Sequence, residues 1–274
     1  MDMDKDKDNA GINANVDAEV DVNAGGKDAS DQDVLGIRTV DAVRILTLRR
    51  PERHNALNTD LTRRLLQALR DAERDEACRA IVLAGAGRSF CAGADTTEFA
   101  GFGQDADRAQ ARATLTAELH AVFATLSKPV VAAVWGNAMG GGAGLALACD
   151  MMVAAQATRL GYPEIKHGIC PAIVMANLTR NLGPKRAFEL VSTGRLLDGG
   201  ELCEWGLANA RAETPEAALA AALDIGRHWA AHAPFALTST KRLFYRTLDL
   251  SFEEGLAAGR ELNIAMRRHA RPKS

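Results

Sequence analysis

Pro129-Val-Val-Ala-Ala-Val-Trp-Gly-Asn-Ala-Met-Gly-Gly-Gly-Ala-Gly-Leu-Ala-Leu-Ala-Cys149 runs for 21 residues without a charge. That length suffices for a membrane span, and Gly136, Gly140 and Gly144 even add overlapping G-x-x-x-G spacing. Against a span stand Pro129 at its start, Asn137 at its centre and three consecutive glycines after Met139. A strand, a turn and a buried helix fit better. Pro129–Val134 is too apolar for a strand with one wet face, so it is expected to be covered on both. The glycine turn then opens a helix that runs through Leu147.

Working outward, Val43–Leu48 reads as a strand and residues 50–58 as a turn-rich connector. Asn58 or Thr59 can cap a helix whose apolar positions Leu61, Leu65, Leu69 and Ala72 recur on one face. Ala80–Ala84 reads as a short strand ending in Gly85, residues 105–126 as a helix, and Met151–Ala154 and Arg159–Gly161 as strands. Strand and helix alternate, which predicts an α/β fold. From Asp198 onward strands thin out. Asp198 with Glu201 and Ser251 with Glu254 are spaced as capping boxes, and Thr214-Pro215 is a cap followed by an N1 proline. A helical region is expected from about 213 to the end.

The chain has 274 residues, 47% apolar and 25% charged, enough for a full core in one or two domains. Residues 1–33 carry ten acids and three lysines, a net of −7 against −2 for the whole chain, so residues 34–274 sum to +5. The acidic stretch 1–33 has too little apolar content to offset its ordering entropy, and is expected to be a disordered tail. Met1–Asp8 alternates acid and base, unlike a secretory leader, and its acidity is unlike a mitochondrial presequence. Five cysteines at wide spacing, with no C-x-x-C pair, read as reduced thiols of a cytoplasmic protein.

Two glycine-rich turns and one carboxylate carry the chemistry: Gly85-Ala-Gly-Arg-Ser-Phe-Cys-Ala-Gly-Ala-Asp95, Ala138-Met-Gly-Gly-Gly-Ala-Gly144 and Tyr162-Pro-Glu164. Glycine lets a backbone amide pass close to a ligand. In the second turn the amides also open a helix, where unsatisfied N–H groups favour negative charge. Two such donors could hold an enolate beside a proton-handling acid. Taken singly, glycine clusters more often serve helix–strand packing, and a lone Glu is more often a solvated loop acid. The region has no G-x-G-x-x-G, and Gly183-Pro-Lys185 lacks the rest of a phosphate loop. No ligand spacing among the six histidines implies a metal.

Arg50-Pro-x-x-His-Asn-Ala-Leu-Asn58, Ser89-Phe-Cys-Ala-Gly-Ala-Asp95, Pro129–Gly144, Cys149-Asp150 and Pro163-Glu164, in this order, resemble the enoyl-CoA hydratase/isomerase, or crotonase, family over about residues 36–270. The resemblance implies a spiral of ββα units over 34–212 holding an acyl-CoA site. It also implies a helical region over 213–274 that helps to build a homotrimer or a hexamer. The substrate would be an acyl-CoA thioester whose coenzyme A is carried with it, with no further cofactor, no metal, and neither nucleic acid nor membrane as partner. A polyanion such as coenzyme A suits the +5 of residues 34–274.

Carried over position by position, the resemblance assigns the two oxyanion-hole amides to Ala94 and Gly141 and proton transfer to Glu164. It places Ala92, Gly93, Asp95, Thr96, Gly140, Gly144 and His167 along the substrate, with Asp95 fixing the turn more than acting in chemistry. The chain departs from the family's hydratases at Gly144, where they carry a second glutamate. A single base facing an oxyanion hole is enough to move a proton between C2 and C4, so 3,2-enoyl-CoA isomerisation is the favoured expectation. Hydration of 2-enoyl-CoA, with His167 or Cys170 replacing the absent acid, is the runner-up. A protein that binds acyl-CoA with little catalysis is a third. Ala172 stands where the family's hydroxyacyl-CoA hydrolases and dienoyl-CoA isomerases carry an aspartate, which disfavours both.

Overall fold

The computed structural model of the chain describes residues 33–103 and 105–269. The expected disordered tail lies outside them, save Asp33. A six-stranded sheet forms the frame. Its strands are β1 (Leu35–Val40), β2 (Val43–Leu48), β3 (Ala80–Gly85), β4 (Val130–Val134), β6 (Met151–Ala155) and β9 (Ala210–Ala212), in that spatial order. β1 and β2 form an antiparallel hairpin, and every other neighbour in this sheet is parallel. A second sheet joins β5 (Asn137–Met139), β7 (Arg159–Gly161) and β8 (Leu196–Leu197).

The period of two along β3 and β4 sorts their side chains between two cores. Ile81, Leu83, Val130, Ala132 and Val134 face the larger one, built with α1 (Thr59–Arg74), α3 (Ala106–Thr125) and α4 (Gly141–Ala148). Ala80, Val82, Ala84, Val131 and Ala133 face the other, closed by Ala218, Leu219, Ala222 and Leu223 of α8 (Pro215–Ala231). The continuous apolar run of β4 thus has the two-sided cover its composition requires. α8 lies so close to the sheet that a Cβ at Gly226 would stand 2.8 Å from Val43 Cγ1.

The remaining helices are α2 (Thr96–Ala100), α5 (Met175–Asn181), α6 (Pro184–Thr193), α7 (Gly199–Glu204), α9 (Pro234–Thr247) and α10 (Phe252–His269). The caps follow the sequence signals. Asn58 accepts from the Leu61 N–H to open α1, Asp198 and Glu201 form a capping box on α7, and Thr214 caps α8. β9 is the last strand beyond Asp198 among the described residues, and its three residues complete an edge of the main sheet. All five cysteines are free. Among the described residues no helix is long and apolar enough to cross a membrane, and no cluster of three His, Cys, Asp or Glu side chains could hold a metal ion.

Candidate active site

The connector Arg50–Asn58 is the clamp of the site. His54 and Asn55 both take positive φ, and Asn55 is fully buried. Its side-chain amide donates to the carbonyls of Ala86 and Ser89, and its Oδ1 accepts from the Arg50 N–H. This ties the connector to the first glycine turn. His54 Nδ1 and Ser89 Oγ lie 3.0 Å apart, a second tie. Asp95 pairs with Arg50 at 2.9 Å and accepts from the Thr97 N–H, capping α2. Burial pushes its carboxyl up, but the bonds from Thr97 and Arg50 outweigh that and hold it below the usual aspartate value.

The first turn runs against both the connector and the second turn. Leu57 N–H donates to Gly93 O and Asp95 N–H donates to Leu57 O. In such a parallel bridge the amide of the residue between them, Ala94, points away from Leu57. On its other side Cys91 N–H donates to Asn137 O, and Met139 N–H donates to Cys91 O. Gly93, at φ +88, is a tight crossing: a Cβ there would stand 2.5 Å from the Met139 carbonyl and 3.2 Å from the Gly141 nitrogen. A Cβ at Gly141 would lie 3.7 Å from the Ala94 nitrogen. The amides of Ala94 and Gly141 are therefore neighbours. Gly141 is the first residue of α4, so its N–H is among those a helix leaves without an internal partner. Ala94 is exposed and Gly141 half-exposed, which opens the pair to a ligand.

Glu164 stands on the 3-10 turn Pro163–His167 that follows β7, and its carboxylate touches Gly140 at the mouth of α4. Burial pushes this carboxyl above the ordinary glutamate value, against its own backbone N–H and the charge of His167. Its Oε2 is buried without a hydrogen-bond partner among the described residues, as are the Tyr162 hydroxyl and His120 Nε2. Burial, with the nearby Glu164 charge, also raises the Tyr162 phenol.

A Cβ at Gly144 would stand 2.6 Å from Val174 Cγ1 and 2.8 Å from His120 Cε1. His167 and Cys170, expected as stand-ins for a second acid, are exposed, and neither is among the nearest atoms at Gly144. His120 was not legible as a site residue. It is a lone histidine within α3 with no motif around it, and only the packing of α3 on α4 brings it here. Ala92 and Thr96 flank the Gly93–Asp95 turn, and Ala92 N–H donates to the His54 carbonyl.

The enoyl-CoA hydratase/isomerase family profile matches residues 38–273. The chain belongs to that family. The 2,3-dehydroadipyl-CoA hydratase of Escherichia coli is 35% identical over 221 residues, 80% of this chain and 85% of that one. An enoyl-CoA hydratase structure from Mycobacterium smegmatis superposes with a TM-score of 0.82 at 28% identity, covering 89% of this chain and 93% of that one. An enoyl-CoA hydratase subunit I from Geobacillus kaustophilus gives 0.80 at 32% identity, over 87% and 91%. The α/β architecture is thus the crotonase fold, and this crotonase-family chain is an enzyme, a hydratase or an isomerase.

Proposed function

We propose that this enzyme isomerises a 3-enoyl-CoA to a 2-enoyl-CoA. The thioester oxygen accepts from the amides of Ala94 and Gly141. Glu164 takes a proton from C2, the electron pair spreads over an enolate, and the same carboxyl returns the proton to C4. The observation that carries the reading is that, among the described residues, one carboxylate stands against the second glycine turn: Glu164 is at Gly140, while Val174 and His120 fill the place beside Gly144. A burial-raised carboxyl beside two convergent amides suits a group that both takes and gives a proton. Ala92, Gly93, Asp95, Thr96, Gly140, Gly144 and His167 would line the substrate, with coenzyme A brought as part of it and no further cofactor. We assign the enzyme to the cytoplasm, as a homotrimer or a hexamer.

Hydration of a 2-enoyl thioester is the second reading. It is favoured by relatives named as hydratases, the Escherichia coli protein among them. Turnover of 3-hexenoyl-CoA and crotonyl-CoA by wild type and Glu164→Gln, with products identified by mass and chromatography, tests both. Isomerised 3-hexenoyl-CoA that is lost in Glu164→Gln supports the single-base reading. Acyl-CoA binding with no turnover of either substrate would contradict it.

A further inference from the structure

We propose that His120 positions a water molecule for addition to C3 of a 2-enoyl thioester, so that the site hydrates with one acid. This rests on the enolate reading above and extends it. His120 is 6% exposed. Its ring edge lies against Gly144, with Cε1 the atom of closest approach. Asn177 Nδ2 lies 3.4 Å from both the Gly144 carbonyl and His120 Nδ1; with Asn177 donating to Nδ1, the proton of the neutral ring sits on Nε2. Burial, which outweighs the Gly144 carbonyl, and then the charge of Arg112 keep that ring neutral.

That leaves Nε2–H as a buried donor without a partner, and Glu164 Oε2 as a buried acceptor without one. Both side chains press on the start of α4, Glu164 at its N-cap Gly140 and His120 at Gly144. These glycines are one turn apart and joined by the Gly144 N–H to Gly140 carbonyl bond. One turn rises ~5.4 Å. A shared water requires Nε2 and Oε2 to stand within the roughly 5–6 Å that it bridges by accepting from Nε2–H and donating to Oε2. Buried polar atoms are rarely left without a partner, so the pair is a seat for one oxygen with a donor on one side and an acceptor on the other.

The chemistry balances with these groups. The water oxygen bonds to C3 while one of its O–H bonds breaks toward Glu164. The C2=C3 pair moves into the thioester, forming the enolate held by Ala94 and Gly141. Glu164 then gives the proton to C2. His120 keeps its own proton throughout and acts as a positioning residue.

The test compares wild type, His120→Phe and His120→Gln on crotonyl-CoA hydration and 3-hexenoyl-CoA isomerisation. The expected result is a loss of ~100-fold in kcat for hydration in His120→Phe against a loss of about threefold or less in isomerisation. His120→Gln, which keeps an N–H donor, should recover at least roughly a tenth of the hydration rate. Hydration by His120→Phe at the wild-type rate would overturn the proposal. So would a parallel fall in both reactions with no recovery in His120→Gln, the mark of a purely structural side chain. A wild-type enzyme that isomerises without hydrating removes this inference and leaves the proposed function standing; one that does neither removes both.

Discussion

Glu164 has a folded-state pKa raised mainly by burial, and this has consequences in both stability and rate. With the folded value above the unfolded one, the folded chain binds more protons in the window between them. Stability therefore falls as pH rises through that window. Glu164→Gln, which cannot ionise, should melt higher than wild type at neutral pH, and the gap should close as pH drops below the ordinary glutamate range. The same substitution should lower turnover by ~10² or more. A thermal scan at several pH values checks the first outcome, and a melting point unchanged at every pH would contradict it. At this scale Glu164 was legible because three motifs in register frame it. His120 and Tyr162 were not, since their significance lies in contacts that no spacing encodes.

Among the elements, the two glycine turns and the start of α4 hold the site, and they interlock through backbone rather than side chains. Gly93→Ala would drive a methyl into the Met139 carbonyl at a φ that L residues resist. We expect a cost of about 1–3 kcal/mol and a loss of ~10²-fold in kcat as the Ala94 amide shifts. Chemical denaturation alongside kinetics separates the two, and an unchanged kcat would argue against Ala94 as an oxyanion donor. Gly144→Glu meets Val174 and His120, so it should destabilise by roughly 1–3 kcal/mol rather than restore a second acid. Hydration by this variant faster than by wild type would contradict that. The long elements were readable from pattern: β4 through its unbroken apolar run, α1 through its leucine stripe, α7 and α8 through their caps. β5, β8 and β9 have two or three residues each, too few for a period to show, and their pairing is set by distant strands.

Across the whole molecule, Asp150 joins the C-terminal helices to the sheet. Its carboxylate accepts from Lys241 Nζ at 2.7 Å, Tyr245 hydroxyl at 2.8 Å and Val130 N–H at 2.6 Å. Lys241 is buried, so Asp150→Ala would strand its charge, at about 3 kcal/mol or more and roughly 6–12 °C in Tm. A Tm within a degree of wild type would show that α9 does not depend on this tie. Beyond it the surface of α9 and α10 exposes Phe244, Leu248, Phe252, Leu256 and Ile264. An apolar run of that size marks an interaction surface, and light scattering should return three or six chain masses; one mass would contradict the proposed assembly. The motif Cys149-Asp150 was visible in the sequence, but Lys241 and Tyr245 lie some ninety residues away, where nothing local announces them. The central claim is that Glu164 moves a substrate proton through an enolate held by Ala94 and Gly141. Its most direct test is deuterium uptake from D2O at C2 and C4 of 3-hexenoyl-CoA, followed by mass spectrometry in wild type and in Glu164→Gln with acyl-CoA binding verified. Uptake by wild type that falls at least ~100-fold in the variant is the predicted result, and equal uptake in the two would contradict the account.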